Sequence, residues 1–221
     1  TPVVQSAYPS GTPWPMPGTV EIENFDNGGA GVAYGDATPA NEGGQYRTGE
    51  GVDIANDAGA GNGRVVGWTS AGEWLEYTVS LSASGTYALE TRVAAVGAGG
   101  QFRILVNGVD KTGLLAVPNT GAWNAYQVVQ KTGVALSSGI QTVRVEMVTA
   151  GSGGHVGAFD WFRVAGASPV LAISPSSASV SAEASNGRQI AVTANLAWTA
   201  ATNVPWQGLD RLLSGMLTYP G

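Results

Sequence analysis

Two tryptophans of this chain could hold a ligand without any reaction taking place. Trp68 and Trp123 lie in the glycine-containing segments 65–72 and 119–124, where a strand-rich chain is expected to turn. An indole held in a turn presents a flat apolar face to solvent, and such a face usually has a ligand with a matching face. The tryptophans therefore favour binding over catalysis.

The acidic residues and the single histidine offer little support for catalysis. A glycoside hydrolase requires two carboxylates across a cleft, one of them with a raised pKa. Glu73 and Glu76 are available but lie in a strand-like run without a cleft signature. His155 lies in the glycine-rich segment 150–157, where it is a poor general base. A catalytic glycoside hydrolase domain stays open as an alternative, and so does a structural or adhesive β-sandwich without sugar affinity.

Two further glutamates have a spacing that suits a cation. Glu21 and Glu23 are two residues apart in an alternating segment, 19–25, so a strand would place them on one face about 7 Å apart. Their charges repel, and a bound cation would remove that repulsion. Calcium prefers several oxygen ligands of this kind. The alternative is a solvated acidic strand face.

Composition limits the classes of protein and partner. Of 221 residues, 33 are glycine and only 12% are charged, against a typical quarter, which favours an all-β chain with many turns. The net charge is −6 and there are two lysines, so nucleic acid and anionic membranes are not expected partners. The absence of cysteine excludes disulfides and thiolate chemistry. No apolar run approaches the ~20 residues of a membrane span.

The strand signals indicate a β-sandwich. Period-two alternation of apolar and polar residues predicts strands at 74–81, 87–93 and 102–106, the last followed by Asn107-Gly108, a strong hairpin signal. Further strands are predicted near 123–130, 140–148 and 158–164, and no convincing amphipathic helix is found. Trp74, Tyr77 and Trp161 lie within these strand patterns, where core packing is the expected role.

The chain divides into three parts. Residues 1–18, with four prolines between positions 9 and 18, are predicted to form a linker. Residues 19–165 form the sandwich. Residues 166–221, with strand signals at 171–175 and 189–194, are predicted to form a small second β module whose completeness the sequence leaves open. The chain begins without a signal peptide, which suggests a mature or excised segment.

Several segments, in order along residues 17–165, resemble family 6 carbohydrate-binding modules. The most specific is 66–79, Val-Gly-Trp-Thr-Ser-Ala-Gly-Glu-Trp-Leu-Glu-Tyr-Thr-Val, and the others are 17–25, 31–34, 46–47, 50–54, 117–123 and 159–162. The resemblance implies a jelly-roll that binds polysaccharide, is not itself an enzyme, and is covalently linked to a secreted, extracellular bacterial glycoside hydrolase. A monomer is expected. Residues 169–206 more weakly resemble a BACON-type immunoglobulin-like module.

The resemblance also implies a sugar site. It places two aromatic residues on loops at one end of the sandwich, at the positions of Trp68 and Trp123. The family usually has an asparagine three residues before the late tryptophan, where this chain has Ala158. His155 is a candidate for the missing polar contact, although a solvated loop histidine is an equal alternative. Glu50 and Asp53 are further polar candidates, with a surface strand position favoured for Asp53.

A structural calcium ion is the cofactor that the resemblance implies. Its ligands would be Glu21, Glu23 and Asp160 together with loop carbonyls, and it would join the first and last strands. The family also has a second possible site on the concave sheet face. Whether the glycan is a β-1,3-glucan, xylan, a cellulose-like chain or agarose stays open.

Overall fold

The computed structural model describes residues 4–166 and the two short strands Leu171–Ser174 and Ala191–Ala194. The chain forms two compact units, Thr1–Ser168 and Pro169–Gly221. In the second unit the two strands pair antiparallel, with Leu171 opposite Ala194. The remainder of the predicted BACON-like module lies outside the described residues.

The regular secondary structure described in the first unit is strand except for one 3-10 turn, which confirms the predicted all-β class. A 3-10 turn at Ile22–Asn24 follows the second strand. The strands of this unit are β1 (Trp14–Met16), β2 (Gly18–Glu21), β3 (Tyr34–Gly35), β4 (Ile54–Asn56), β5 (Arg64–Val66), β6 (Trp74–Leu81), β7 (Gly85–Ala94), β8 (Gln101–Val106), β9 (Val109–Asp110), β10 (Leu115–Ala116), β11 (Gln127–Leu136), β12 (Gly139–Thr149) and β13 (Ala158–Ala165). Among the described residues, no helix has the length and apolar character needed to cross a membrane.

The strands form two sheets that pack as a sandwich. One sheet has the order β1-β6-β12-β8-β10, with β3 also on β6 and β9 on β8. The other has the order β11-β7-β13-β5-β4, with β2 also on β13. The strand pairs are antiparallel except β1 with β6, which is parallel. The β2–β13 pairing places Glu21 opposite Trp161, next to Asp160, and so brings the first and last strands together.

The core lies between the sheets and follows the alternation of the sequence. In β6, Leu75, Tyr77, Val79 and Leu81 are buried, while the residues between them are partly exposed. Tyr77 has no exposed surface, and its hydroxyl donates to the carbonyl of Ile22 at 2.7 Å. Its predicted core role is confirmed.

Trp74 and Trp161, by contrast, do not belong to the core, so the prediction for them is wrong. Both are half-buried. The guanidinium of Arg144 lies 3.9 Å from the ring centroid of Trp74, and that of Arg163 lies 5.0 Å from the ring centroid of Trp161. In a strand, period two determines which residues share a face, and these tryptophans share the face of charged neighbours.

The segment predicted to be a linker is part of the sandwich from Val4 onward. Ala7 and Met16 are buried, and β1 pairs with β6 with Trp14 opposite Val79. The side-chain amide of Gln5 donates to Asp26 at 2.9 Å. Proline removes a backbone donor, which excludes it from a central strand but permits it in an edge strand such as β1. The prolines of residues 9–18 are therefore compatible with the pairing of β1 and β6.

Candidate functional site

Trp68 and Trp123 line one groove of about 460 Å³. This volume is within the usual range for small-molecule and oligosaccharide sites. The indoles are 43% and 41% exposed, so each presents an uncovered surface. The remaining lining residues are small, apolar or polar: Ala55, Asn56, Asp57, Val65, Gly67, Gly153, His155 and Ala158.

Trp68 owes its projection to an unusual backbone. Its φ angle is +50°, in the left-handed region that a bulky residue rarely adopts. Hydrogen bonds on both sides hold it there: the amide of Gly67 donates to the carbonyl of Asp53 at 3.0 Å, and the hydroxyl of Thr69 donates to the carbonyl of Gly157 at 2.6 Å. The amide of Gly157 in turn donates to the Thr69 hydroxyl oxygen at 3.0 Å. These bonds fix the indole at the groove.

Trp123 is held by a loop that is fastened to the end of β7. The hydroxyl oxygen of Thr120 accepts from the amide of Ala95 at 3.0 Å, and the amide of Thr120 donates to the carbonyl of Ala95 at 2.9 Å. The side-chain oxygen of Asn119 accepts from the amides of Gly97 and Gly121. These hydrogen bonds therefore hold the loop that carries Trp123, while its indole stays exposed to solvent.

His155 lies beside Trp123 in the groove. The two ring centroids are 6.1 Å apart in an edge-to-face arrangement. The histidine is half-buried, and its Nδ1 atom is buried without a hydrogen-bond partner. Because that nitrogen has almost no exposed surface, a ligand in the groove does not reach it in this arrangement.

Glu50 and Asp53 are not among the residues that line this groove. Glu50 forms an ion pair with Arg47 at 2.6 Å, and the Arg47 guanidinium lies between the rings of Tyr8 and Phe25. Asp53 is only 3% exposed and accepts from the amide of Glu42 at 2.6 Å, and burial raises its pKa. The favoured surface position of Asp53 is wrong because β4 begins only at Ile54, so strand alternation does not apply to Asp53.

The predicted metal residues lie together, although not as a strand face. Glu21 ends β2, whereas Glu23 lies in the 3-10 turn. Glu23 and Asp160 are fully buried. Burial, reinforced by the charges of Asp160 and Glu23, raises the pKa of Glu21 to about 7.

The carboxylate oxygens are chemically suitable ligands for calcium, but their positions in this structure do not form a coordination site. One oxygen of Glu21 and one of Glu23 are buried without a donor, and oxygen is the ligand that calcium prefers. Asp160 binds Arg92, and Glu23 accepts from the side chain of Asn62. In the part of the chain that the structure describes, no three acidic, histidine or cysteine side chains already surround one point.

Comparison with known proteins identifies the family. The family model described as carbohydrate binding module, family 6, matches residues 42–166. The chain belongs to this family. Its β-sandwich is similar to a β-1,3-glucan binding module of family 6 from Bacillus halodurans, with a TM-score of 0.53, 20% identity, and coverage of 70% of this chain and 100% of that one.

Two further relatives have higher sequence identity. The C-terminal family 6 module of LamC, a laminarinase from Zobellia galactanivorans, is 25% identical at a TM-score of 0.51, covering 67% of this chain and 98% of that one. Beta-agarase AgaA from Microbulbifer thermotolerans is 30% identical over 97 residues, which are 42% of this chain and 22% of the agarase. The chain thus spans about a fifth of that relative.

Burial raises the pKa of Glu73 to about 7, but Glu73 and Glu76 do not form the pair of carboxylates across the groove that a hydrolase requires. The family is one of non-catalytic binding modules. Glu76 forms an ion pair with Arg144 at 2.7 Å. The two carboxylate oxygens of Glu73 accept from the amides of Ala37 and Ser70, and neither glutamate lines the groove.

The module's groove contains polar residues that sequence reasoning missed. Ala158 lines the groove, so a methyl group occupies the position where the family usually has asparagine. Asn56 and Asp57 lie on the groove at the end of β4. The sequence contains a pattern that could have identified both residues. A polar pair at the end of a short strand and just before a glycine-rich segment, 59–63, marks a strand-to-loop junction.

Proposed function

We propose that residues 4–166 bind polysaccharide by stacking a sugar ring against the indoles of Trp68 and Trp123. The observation that carries this proposal is the presence of two partly exposed indoles in one groove. A sugar ring has C–H bonds on one face and hydroxyls around its rim. An indole binds the C–H face by dispersion and excludes water, and a few polar groups then fix the orientation.

The role proposed for the module is to keep a covalently linked glycoside hydrolase on its polysaccharide, in a protein secreted by a bacterium. Support comes from the agarase and the laminarinase named above, each of which is larger than the matching module. The candidate glycans are β-1,3-glucan, agarose, xylan and cellulose-like chains. Family membership and the groove agree with each of these.

Affinity electrophoresis against these four polysaccharides tests the proposal. Retarded migration without released reducing ends is the expected result. Released reducing ends would instead indicate a hydrolase, and neither effect on any glycan would indicate a structural β-sandwich.

We also propose a structural calcium ion at Glu21, Glu23 and Asp160. The support is chemical: two buried carboxylate oxygens have no donor, and their charges repel. When bound, calcium would supply positive charge that cancels this repulsion. Glu21 on β2 and Asp160 on β13 would then be joined through it.

A further inference from the structure

Among the lining residues of the groove in the described part of the chain, Asp57 is the one carboxylate. We propose that Asp57, held in place by Tyr126, receives hydrogen bonds from sugar hydroxyls and makes the groove selective for neutral glycans over those bearing carboxylate or sulfate groups. This inference rests on the proposed sugar site and specifies the class of glycan that the site accepts.

The hydrogen bonds of Asp57 leave part of its carboxylate free for a ligand. One oxygen accepts from the amide of Gly59 at 2.7 Å, and the other accepts from the hydroxyl of Tyr126 at 2.7 Å. An ionised carboxylate offers about four lone-pair sites, so roughly two remain unused. A sugar hydroxyl is a suitable donor for them, and a hydrogen bond to a charged acceptor is stronger than one between neutral groups.

Tyr126 is a positioning residue for this carboxylate. Burial, together with its hydrogen bond to Asp57, raises the pKa of Tyr126, so its hydroxyl stays protonated and donates. The guanidinium of Arg92 lies 4.5 Å from the centroid of the Tyr126 ring and also donates to the carbonyl of Gly59 at 3.1 Å. Asp57 is therefore fixed both through Tyr126 and through Gly59.

The other polar groups of the groove cannot select by charge in the same way. Asn56 is neutral, and its amide nitrogen already donates to Gln45 at 3.0 Å. The Nδ1 atom of His155 is buried, and the imidazole packs edge-to-face against Trp123. Among the described residues that line the groove, none is lysine or arginine. An anionic sugar would thus meet the negative charge of Asp57, and no lysine or arginine among the described lining residues would offset that charge.

The strength of this repulsion depends on distance and salt. Near a protein surface, two like charges about 4 Å apart repel strongly enough at low salt to lower a binding affinity by roughly several hundredfold. The effect is much smaller when solvent and salt screen the charges. Discrimination of about tenfold against an anionic glycan at low salt is therefore a conservative expectation.

The experiment compares a neutral polysaccharide with its carboxymethylated derivative of equal length, using whichever of the four glycans the intact chain binds best. Isothermal titration calorimetry at low salt measures both affinities for the wild-type chain and for Asp57→Asn, Tyr126→Phe and Asp110→Asn. Asp110 is an exposed residue of β9 and is absent from the groove lining, so its substitution changes the net charge equally. Tyr87→Phe, which removes a hydroxyl bonded to the carbonyl of Ala83, is the control for Tyr126.

Wild type and Asp110→Asn are expected to prefer the neutral glycan about tenfold. Asp57→Asn should reduce that preference to about threefold or less, and Tyr126→Phe should weaken neutral-glycan binding by roughly threefold while Tyr87→Phe does not. Equal discrimination by Asp57→Asn and wild type, or an equal change in Asp110→Asn, would overturn the inference. If Asp57→Asn does not fold, unchanged binding and discrimination in Tyr126→Phe would overturn it. Failure of the wild type to bind any glycan would instead reject the proposed sugar site.

Discussion

At Trp68 the fold holds a bulky and exposed side chain in a costly backbone conformation. Holding a bulky residue at positive φ costs on the order of 1–3 kcal/mol. The hydrogen bonds made by Gly67 and Thr69 oppose this cost, and the one made by Thr69 is buried. A core role would not require such a backbone, because a strand residue reaches the core without it. The conformation therefore supports a binding role for this indole.

Replacing Trp123 with alanine is expected to weaken polysaccharide binding at least tenfold, because aromatic anchors at binding sites typically contribute 2 kcal/mol or more. The melting temperature should change little, since the indole is 41% exposed and its loop is held by Thr120 and Asn119. Calorimetric titration with the best-binding glycan measures the affinity. Ile140→Ala, at a residue 70% exposed and absent from the groove lining, is the control. Unchanged affinity in Trp123→Ala would reject the site.

The buried carboxyl group of Glu73 is expected to make the free energy of unfolding depend on pH. Burial raises its pKa from 4.5 to about 7 in the folded state. Below about pH 4.5 the carboxyl is protonated in both states, and above about pH 7 it is ionised in both. Between these values only the unfolded chain has released the proton, so the free energy of unfolding falls as pH rises. The loss for this one group is at most about 3 kcal/mol.

Urea denaturation between pH 4.5 and pH 7 tests this dependence. The wild type should lose stability across the window, and Glu73→Gln should lose less, because glutamine does not titrate. Glu42→Gln, at an exposed loop residue, should follow the wild type. Parallel pH profiles for wild type and Glu73→Gln would contradict the assignment.

At the scale of elements, the segment 57–63 joins the groove to the acidic cluster. At the groove end, Asp57 accepts from Tyr126 and Gly59. At the other end, the amide of Gly61 donates to Asp160 at 2.9 Å, and the side chain of Asn62 donates to Glu23. The same loop therefore contacts both the groove and the acidic cluster, which are far apart in the sequence.

Chelation of calcium is expected to lower the melting temperature by about 5 °C or more, because a ligand that binds only the folded state stabilises that state. Glycan affinity should change less than threefold, since the three proposed calcium ligands do not line the groove. Differential scanning calorimetry with and without chelator provides the comparison.

The melting temperature of Glu23→Gln should not respond to chelator, whereas Glu90→Gln, at a residue paired with Arg163, should respond like the wild type. A wild-type melting temperature that is the same with and without chelator would count against the calcium proposal.

At the scale of the whole molecule, one sandwich contains everything that the binding proposal needs. Its main core cluster is drawn from residues between Met16 and Val164, and the N-terminal segment from Val4 contributes Ala7 and the edge strand β1. The net charge of −6 belongs to the full chain and agrees with a preference for uncharged ligands. Binding and stability of this unit are expected to be properties of residues 1–168.

A chain ending after Ser168 should therefore melt cooperatively and keep its glycan affinity within about twofold of the full chain. The reason is that the core and the groove of the first unit are formed by its own residues. Calorimetry and affinity electrophoresis of the two chains measure this. A deletion that also removes residues 1–16 should destabilise the sandwich, because Ala7, Met16 and β1 are lost. Equal stability with and without residues 1–16 would indicate that this segment is a linker after all.

Local sequence pattern is sufficient to predict the fold class and the family, and it indicates the residues most suited to bind a sugar. Strand alternation depends on neighbours two apart, so β6 and β12 could be predicted from local pattern alone. The segment 66–79 was long and specific enough to indicate the family before any contact was known. The resemblance assigns Trp68, Trp123 and His155 to one sugar site, and all three line one groove.

Contacts between distant segments of the chain establish which polar groups share that groove and which prolines join a sheet. Asp57 and Tyr126 are 69 residues apart, and Asp160 meets Gly61 across 99 residues, so no local pattern could pair them. Alternation shows which residues share a face of a strand, but it does not show which face packs against the other sheet. For that reason the pattern predicts, wrongly, that Trp74 and Trp161 lie in the core. Pairing of β1 with β6 depends on an available sheet edge, which is a property of the assembled sandwich and not of the segment itself.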